Sequence, residues 1–213
     1  CKPCAERTGG GGSQLVDDHT MQNEHLRVTV NPNGTIDVIN RDTGDAFAGG
    51  LLFEEQADVG DGWYHGPPVN DEVFTSHGAA ADIAVVHDGF ALTTLRVRVV
   101  MNVPRRWEHD RAEMRRSADL APLEITSWVT LRAGARQVEV RTEINNTIED
   151  HRVRVLFPTR LDVATYFADT PFDIVERPIA LRPDRHKLYE PEIETKPQHS
   201  ITAVSDGRRG LAI

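Results

Sequence analysis

Residues Glu54 to Asp71, EEQADVGDGWYHGPPVND, gather the side chains of this chain best suited to chemistry on a sugar. A glycosidase works with two carboxyl groups about 5–10 Å apart, one an acid and the other a nucleophile or base, beside aromatic rings that stack on the substrate. Asp58 and Asp61 with Trp63, Tyr64 and His65 have that composition. The same residues have a plainer use: Asp and Gly shape turns, and Trp63 and Tyr64 then plug the edge of a β structure. Composition leaves both readings open.

Other patterns exclude more chemistry than they offer. The GGGG run has no strand before it or helix after it, and no GKS or GKT triplet occurs, so nucleotide binding has no support. The serines lack a GxSxG context, and His77, His87, His109, His151, His186 and His199 are scattered singly. Cys1 and Cys4 form half a zinc site, and His19 and His25 lie beyond a glycine-rich stretch at no usual ligand spacing. Neither a metal site nor a disulfide framework is expected in this segment. A net charge of −9 argues against a nucleic-acid partner, because phosphate contacts need clustered Lys and Arg. No apolar run approaches the roughly 20 residues that span a bilayer, so no membrane partner is expected. No basic region precedes an apolar one at the start, and a cytoplasmic location is the expectation. The chain lacks an initiator Met and stops at Leu211-Ala212-Ile213 inside a strand pattern, so a fragment of a larger multidomain protein is expected, with the domain incomplete at its C-terminal end.

The elements that must position these residues read as strands. Residues 1–20, with GGGGS, are expected to form a flexible linker, and residues 21–213 a single domain. Leu26–Val30 and Thr35–Ile39 alternate with period two around Asn31-Pro32-Asn33-Gly34, which predicts a hairpin. Asp82–His87 and Phe90–Val100 predict a second. PRRWEHDRAEMRRSAD, residues 104–119, carries too few apolar residues for a buried face and reads as a charged surface insertion or long hairpin tip. From Arg136 to Leu161 the alternation predicts a central hairpin turning at Asn145-Asn146, with Val138, Val140, Thr142 and Ile144 inward on one strand and Val153, Val155 and Phe157 on the other. Further extended segments are expected at 162–168, 174–178, 200–205 and 209–213. Many short strands with little helix predict an all-β, antiparallel β-sandwich.

Several stretches together resemble one family: MQNEHLRVTVNPNGTIDVINRDTG, DVGDGWYHGPP, RQVEVRTEINNTIEDHRVRVLFPT, DTPFDIVERPI and SDGRRGLAI, in that order, are similar to the C-terminal β-sandwich region of glycoside hydrolase family 38 α-mannosidases. Within it the chain looks most similar to the bacterial, mannosylglycerate-hydrolase-like branch. The resemblance implies a supersandwich of the galactose-mutarotase-like type and participation in zinc-dependent, retaining hydrolysis of α-mannosides. The zinc ligands and the nucleophile would belong to an N-terminal barrel with no counterpart here, so no catalytic residue and no cofactor are expected in this segment, which would be inactive alone. The family's GDxYxYSPP loop falls on Gly60 to Pro68. Its tyrosine position holds Trp63, or Tyr64 after a shift of one residue. Substrate contacts are therefore expected from Asp61, Trp63, Tyr64 and Arg177 of VERP, the last having a salt bridge with Glu176 or another acid as its structural alternative. The expected partners are an α-mannoside or mannosylglycerate-like carbohydrate and the protein's own barrel. A free-standing carbohydrate-binding module and a purely structural or homo-oligomerising domain are the competing readings.

Overall fold

The computed structural model describes residues 13–60, 63, 65–110, 114–189 and 192–213. They form antiparallel sheets throughout, and helical structure among them is confined to the 3-10 turns Ser76–Gly78 and Arg185–Lys187. The chain divides into two compact units, Cys1–Pro158 and Thr159–Ile213, where one domain over 21–213 was expected. Among the described residues, strands up to Leu156 pair with one another, as do those from Thr165 onward, and Pro158 falls between the two sets.

The first unit is built on the strands Leu92–Pro104 and Leu120–Arg132, each 13 residues long and paired from Leu92↔Arg132 to Leu120↔Pro104. Both alternate strictly over most of their length. Leu95, Val97, Val99, Met101 and Val103 point inward from one, and Ala121, Leu123, Ile125, Val129 and Leu131 from the other. Each Val, Leu, Ile or Met among them contributes about 1.5–3 kcal/mol by leaving water. Asp82–Asp88 and Glu139–Asn145 flank them to complete a four-stranded sheet. A five-stranded sheet runs from Leu15–Asp17 through Thr20–Gln22, Leu26–Val30 and Ile36–Asn40 to Ala46–Gly50, and sends Met21, Leu26, Val28, Val30 and Ile36 into the same core. Leu52–Ala57, flanked by Phe74–Thr75 and His151–Leu156, forms a third sheet, and Phe53 joins that core too.

The predicted hairpin at Asn31–Thr35 is present, and Gly34 adopts φ +85°. A Cβ there would lie 2.6 Å from a Val99 methyl, so the turn both twists left-handed and touches the core. The central hairpin over Arg136–Leu161 is absent. Glu139–Asn145 pairs with Leu120–Arg132, whereas His151–Leu156 pairs with Leu52–Ala57 in another sheet. Ile148 explains the difference, because it is 7% exposed and sits in the core cluster. A tight turn at Asn145-Asn146 would strand it in water. Instead the chain crosses between sheets, with Asp150 at φ +51° as it enters the next strand. Val138, Val153 and Phe157 pack on the core as expected, but Val140, Ile144 and Val155 are 37%, 41% and 46% exposed. Glu139–Asn145 and His151–Leu156 lie at sheet margins, where cover runs out. Paired structure also starts inside the stretch read as a linker, since Leu15–Asp17 pairs with Thr20–Gln22 and the buried Gln14 side chain donates to the Phe90 carbonyl at 3.0 Å.

In the second unit, Ile174–Pro178, Thr165–Asp169, Thr202–Ser205 and Gly210–Ala212 form one four-stranded sheet. Gly34→Ala is expected to destabilise the first unit by at least about 1–2 kcal/mol, through the left-handed backbone and the clash with Val99, as read by urea unfolding. An unchanged midpoint would contradict the assignment of Gly34 to this turn.

Candidate functional site

The loop carrying Trp63 leaves the strand Leu52–Ala57 and is drawn together at its base. The Asp58 carboxylate accepts the amides of Gly60 (3.1 Å) and Gly66 (3.0 Å), and the Val59 amide donates to the Gly66 carbonyl at 3.0 Å. The two arms come so close that a Cβ on Gly66 would lie 2.6 Å from the Gly60 nitrogen. Burial pushes the Asp58 carboxyl upward, and the Gly66 and Gly60 amides more than offset this, holding it below the usual carboxylate range. Asp58 therefore does the turn-forming work of the plainer reading, and its better oxygen is committed to that task. His65 is fixed to the Ala57 carbonyl at 3.2 Å. Trp63 projects outward, 88% exposed. Asp61 and Tyr64 lie outside the described residues.

The far end of the loop is held by charges that pattern reading missed. Asp71 accepts the Ala57 amide at 2.9 Å and faces the Arg116 guanidinium at 3.5 Å. Arg116 also donates to Glu55 at 2.5 Å, with side-chain exposures of 6% and 0%. Its guanidinium stacks 5.7 Å from the Phe74 ring centre. His151 Nδ1 stands 3.2 Å from the same Glu55 oxygen, and its Nε2 is 2.9 Å from the Asn146 side-chain oxygen. Within the stretch read as an insertion or hairpin tip, Trp107–Glu108 pairs with Arg115–Arg116, but Trp107 and Arg116 turn inward. Asp150 adds a further tie by accepting the Trp107 amide at 3.3 Å. The sequence signal for Glu55 was available, since it stands at period two between Phe53 and Ala57, both inward. An acid at an inward position calls for a buried partner.

Arg177, in the second unit, lies on the strand Ile174–Pro178 opposite Tyr166. Its structural alternative was a salt bridge with Glu176 or another acid, but the observed partner is the Pro197 carbonyl at 2.7 Å, while Glu176 accepts the Thr165 hydroxyl. One guanidinium nitrogen thus anchors the residue to the segment that follows Lys196. The sheet beneath is stapled by Asp169. It accepts the Ser200 hydroxyl at 2.6 Å and the amides of His199, Ser200 and Ile201. These donors, the Ser200 hydroxyl foremost, hold its carboxyl well below the usual range. No group of three or more His, Cys, Asp or Glu among the described residues is arranged to hold a metal ion. No helix among them is long and apolar enough to cross a membrane.

Residues 21–213 match the model of the glycosyl hydrolases family 38 C-terminal domain. The chain belongs to this family. It is 25% identical over 227 residues to a protein of Halalkalibacterium halodurans named "Putative mannosylglycerate hydrolase", covering 99% of this chain and 25% of that protein. It resembles the crystal structure of an alpha-mannosidase from Enterococcus faecalis with a TM-score of 0.83 at 26% identity, over 93% of this chain and 23% of that one. A second structure from Enterococcus faecalis, described as a protein in glycosyl hydrolase family 38, gives 0.80 at 27% identity over 93% and 24%. The family 38 domain here thus spans about a quarter of the length of these relatives.

Two outcomes check this geometry. Arg116→Met leaves Glu55 buried without its cation and is expected to cost about 3–5 kcal/mol, whereas Arg116→Met with Glu55→Leu costs less. Hydrogen exchange should quicken first in amides 58–71 and only later in Leu120–Arg132. Uniform quickening would contradict the role given to Arg116. Because the Asp169 pKa is lowered in the fold, its contribution is complete above the unfolded-state value near 3.9 and fades as the pH falls through and below it. The melting temperature of Asp169→Asn should lie below that of the parent at neutral pH, with the gap closing in acid.

Proposed function

We propose that this chain is the C-terminal β-sandwich portion of a zinc-dependent, retaining α-mannosidase, supplying substrate contacts and packing to a catalytic barrel carried elsewhere in the protein. Membership of the family 38 C-terminal domain over residues 21–213 is the observation that carries this reading. The sandwich is supported by an apolar cluster into which the five-stranded and four-stranded sheets of the first unit both send side chains. Metal chemistry belongs, in this reading, to the rest of the protein. Mannosides, including mannosylglycerate, are the substrate class suggested by the relatives' names.

Within this role Trp63 offers an aromatic face from a loop braced at both ends, and Arg177 offers its remaining N–H donors to sugar hydroxyls. Asp61 and Tyr64 belong to the same proposal as neighbours of Trp63 in the chain. The segment is proposed to lack turnover by itself and to act in the cytoplasm. A second reading, a carbohydrate-binding module, draws on the 88% exposure of Trp63. Calorimetry separates the two: micromolar binding of a mannoside by this chain, abolished in Trp63→Ala, favours the module.

In the barrel-containing protein, Arg177→Ala is expected to lower kcat/KM for an α-mannoside by about 10- to 100-fold, the loss of one or two hydrogen bonds to a charged donor. Arg177→Lys should recover only part of it, since an ammonium lacks the planar fork. Unchanged kinetics in both variants would leave Arg177 a purely structural residue.

A further inference from the structure

A groove of about 440 Å³ opens in the second unit beside Arg177, lined by Tyr166, Ile179, Leu181, Glu194 and Lys196 among others. Its construction follows from the strand pairing. Tyr166 stands directly opposite Arg177, so the two side chains leave the same face of the sheet. Pro197, which accepts the Arg177 hydrogen bond, follows Lys196 in the groove wall. Glu192 closes the frame: one oxygen accepts the Arg182 amide at 2.8 Å and the other the Lys196 ammonium at 2.6 Å. Those two donors, the Arg182 amide first, hold Glu192 in its charged form below the usual range.

Glu192 is thus consumed in shaping the groove, and Glu194 is not. Among the described residues the Glu194 carboxylate has no hydrogen-bond or ion-pair partner, nor does the Tyr166 hydroxyl. Lys196 retains donors beyond the one given to Glu192. The groove therefore combines an aromatic ring with aliphatic neighbours, an uncommitted carboxylate acceptor and an ammonium donor. A ring face suits the C–H side of a pyranose, a carboxylate suits a pair of vicinal hydroxyl protons, and an ammonium suits a hydroxyl oxygen. Lys196 is already paired with Glu192, so the Glu194 carboxylate in the groove lining favours a hydroxyl-bearing ligand over an anion at that position.

We propose that this groove is a hexose-binding subsite, formed by Tyr166, Glu194 and Lys196, which takes an uncharged pyranose ring next to Arg177. The inference deepens the mannosidase reading, on which the choice of mannose as the hexose rests. It assigns recognition of the neutral sugar ring, rather than of an acidic portion of a substrate, to the second unit.

The test is an NMR titration of the 213-residue chain with methyl α-mannopyranoside and, separately, with D-glycerate. The mannoside should shift the amides of Tyr166, Ala180 and Lys196 with millimolar affinity, and Trp63→Ala should leave these shifts in place. Glu194→Gln, which keeps the shape of the side chain, should weaken binding by about tenfold with the melting temperature unchanged. Tyr166→Ala should abolish it. Absence of mannoside shifts in the groove, equal binding by Glu194→Gln and the parent, or shifts with glycerate alone would each overturn the subsite. None of those outcomes bears on the Arg177→Ala kinetics, so the subsite and the mannosidase reading fail separately.

Discussion

Leu92–Pro104 and Leu120–Arg132 impose the constraint from which the first unit follows. Paired over 13 residues each, they present a row of Val, Leu, Ile and Met on one side, interrupted at Ser127, and that row must be covered. Met21, Val28, Val30 and Ile36 of the five-stranded sheet cover it, and Phe53 extends the cover to the strand from which the Trp63 loop departs. Ile148 then draws the chain across from one sheet to the next. The burial of one side chain thus decides a strand order that local turn chemistry would have made otherwise.

Charge inside this frame serves position. Glu55 occupies an inward place on a strand of alternating burial, and Arg116 and His151 come to it from separate parts of the chain. Such a pair adds little net stability compared with an apolar replacement, but breaking it is costly. Its consequence is geometric. Arg116 ties the paired strands Trp107–Glu108 and Arg115–Arg116 to Glu55 and Asp71, and so fixes the end of the loop whose other end is pinched by Asp58, Gly60 and Gly66. The second unit repeats the device at its surface, where Asp169 staples residues 199–201 and Glu192 frames the groove beside Arg177.

Much of this was legible in the sequence. Alternation and turn punctuation gave Leu26–Val30 and Ile174–Pro178 to the residue, and placed Phe90–Val100 where the longer strand Leu92–Pro104 runs, because one face of each strand differs in polarity from the other or has clear turn punctuation. The family could be read from phrases such as NEHLRV, RTEINNTIEDHR and PFDIVERP. Pairing could not. Alternation tells a strand which way its side chains point and says nothing of its neighbour, so Glu139–Asn145 and His151–Leu156 were joined to each other although each belongs to a different sheet. Glu55, Arg116 and Asp71 escaped notice because a charged residue reads as solvated unless its partner, 45 or 61 positions away, is known. The groove of Tyr166, Glu194 and Lys196 is assembled by a return of the chain that no short motif announces.

Turnover of an α-mannoside by the purified 213-residue chain, compared with the protein that also carries the barrel, tests the proposed division of labour most directly. The account predicts no hydrolysis by the chain alone, with or without added zinc, and zinc-dependent hydrolysis once the barrel is present. Zinc-dependent mannoside hydrolysis by the chain alone would contradict it.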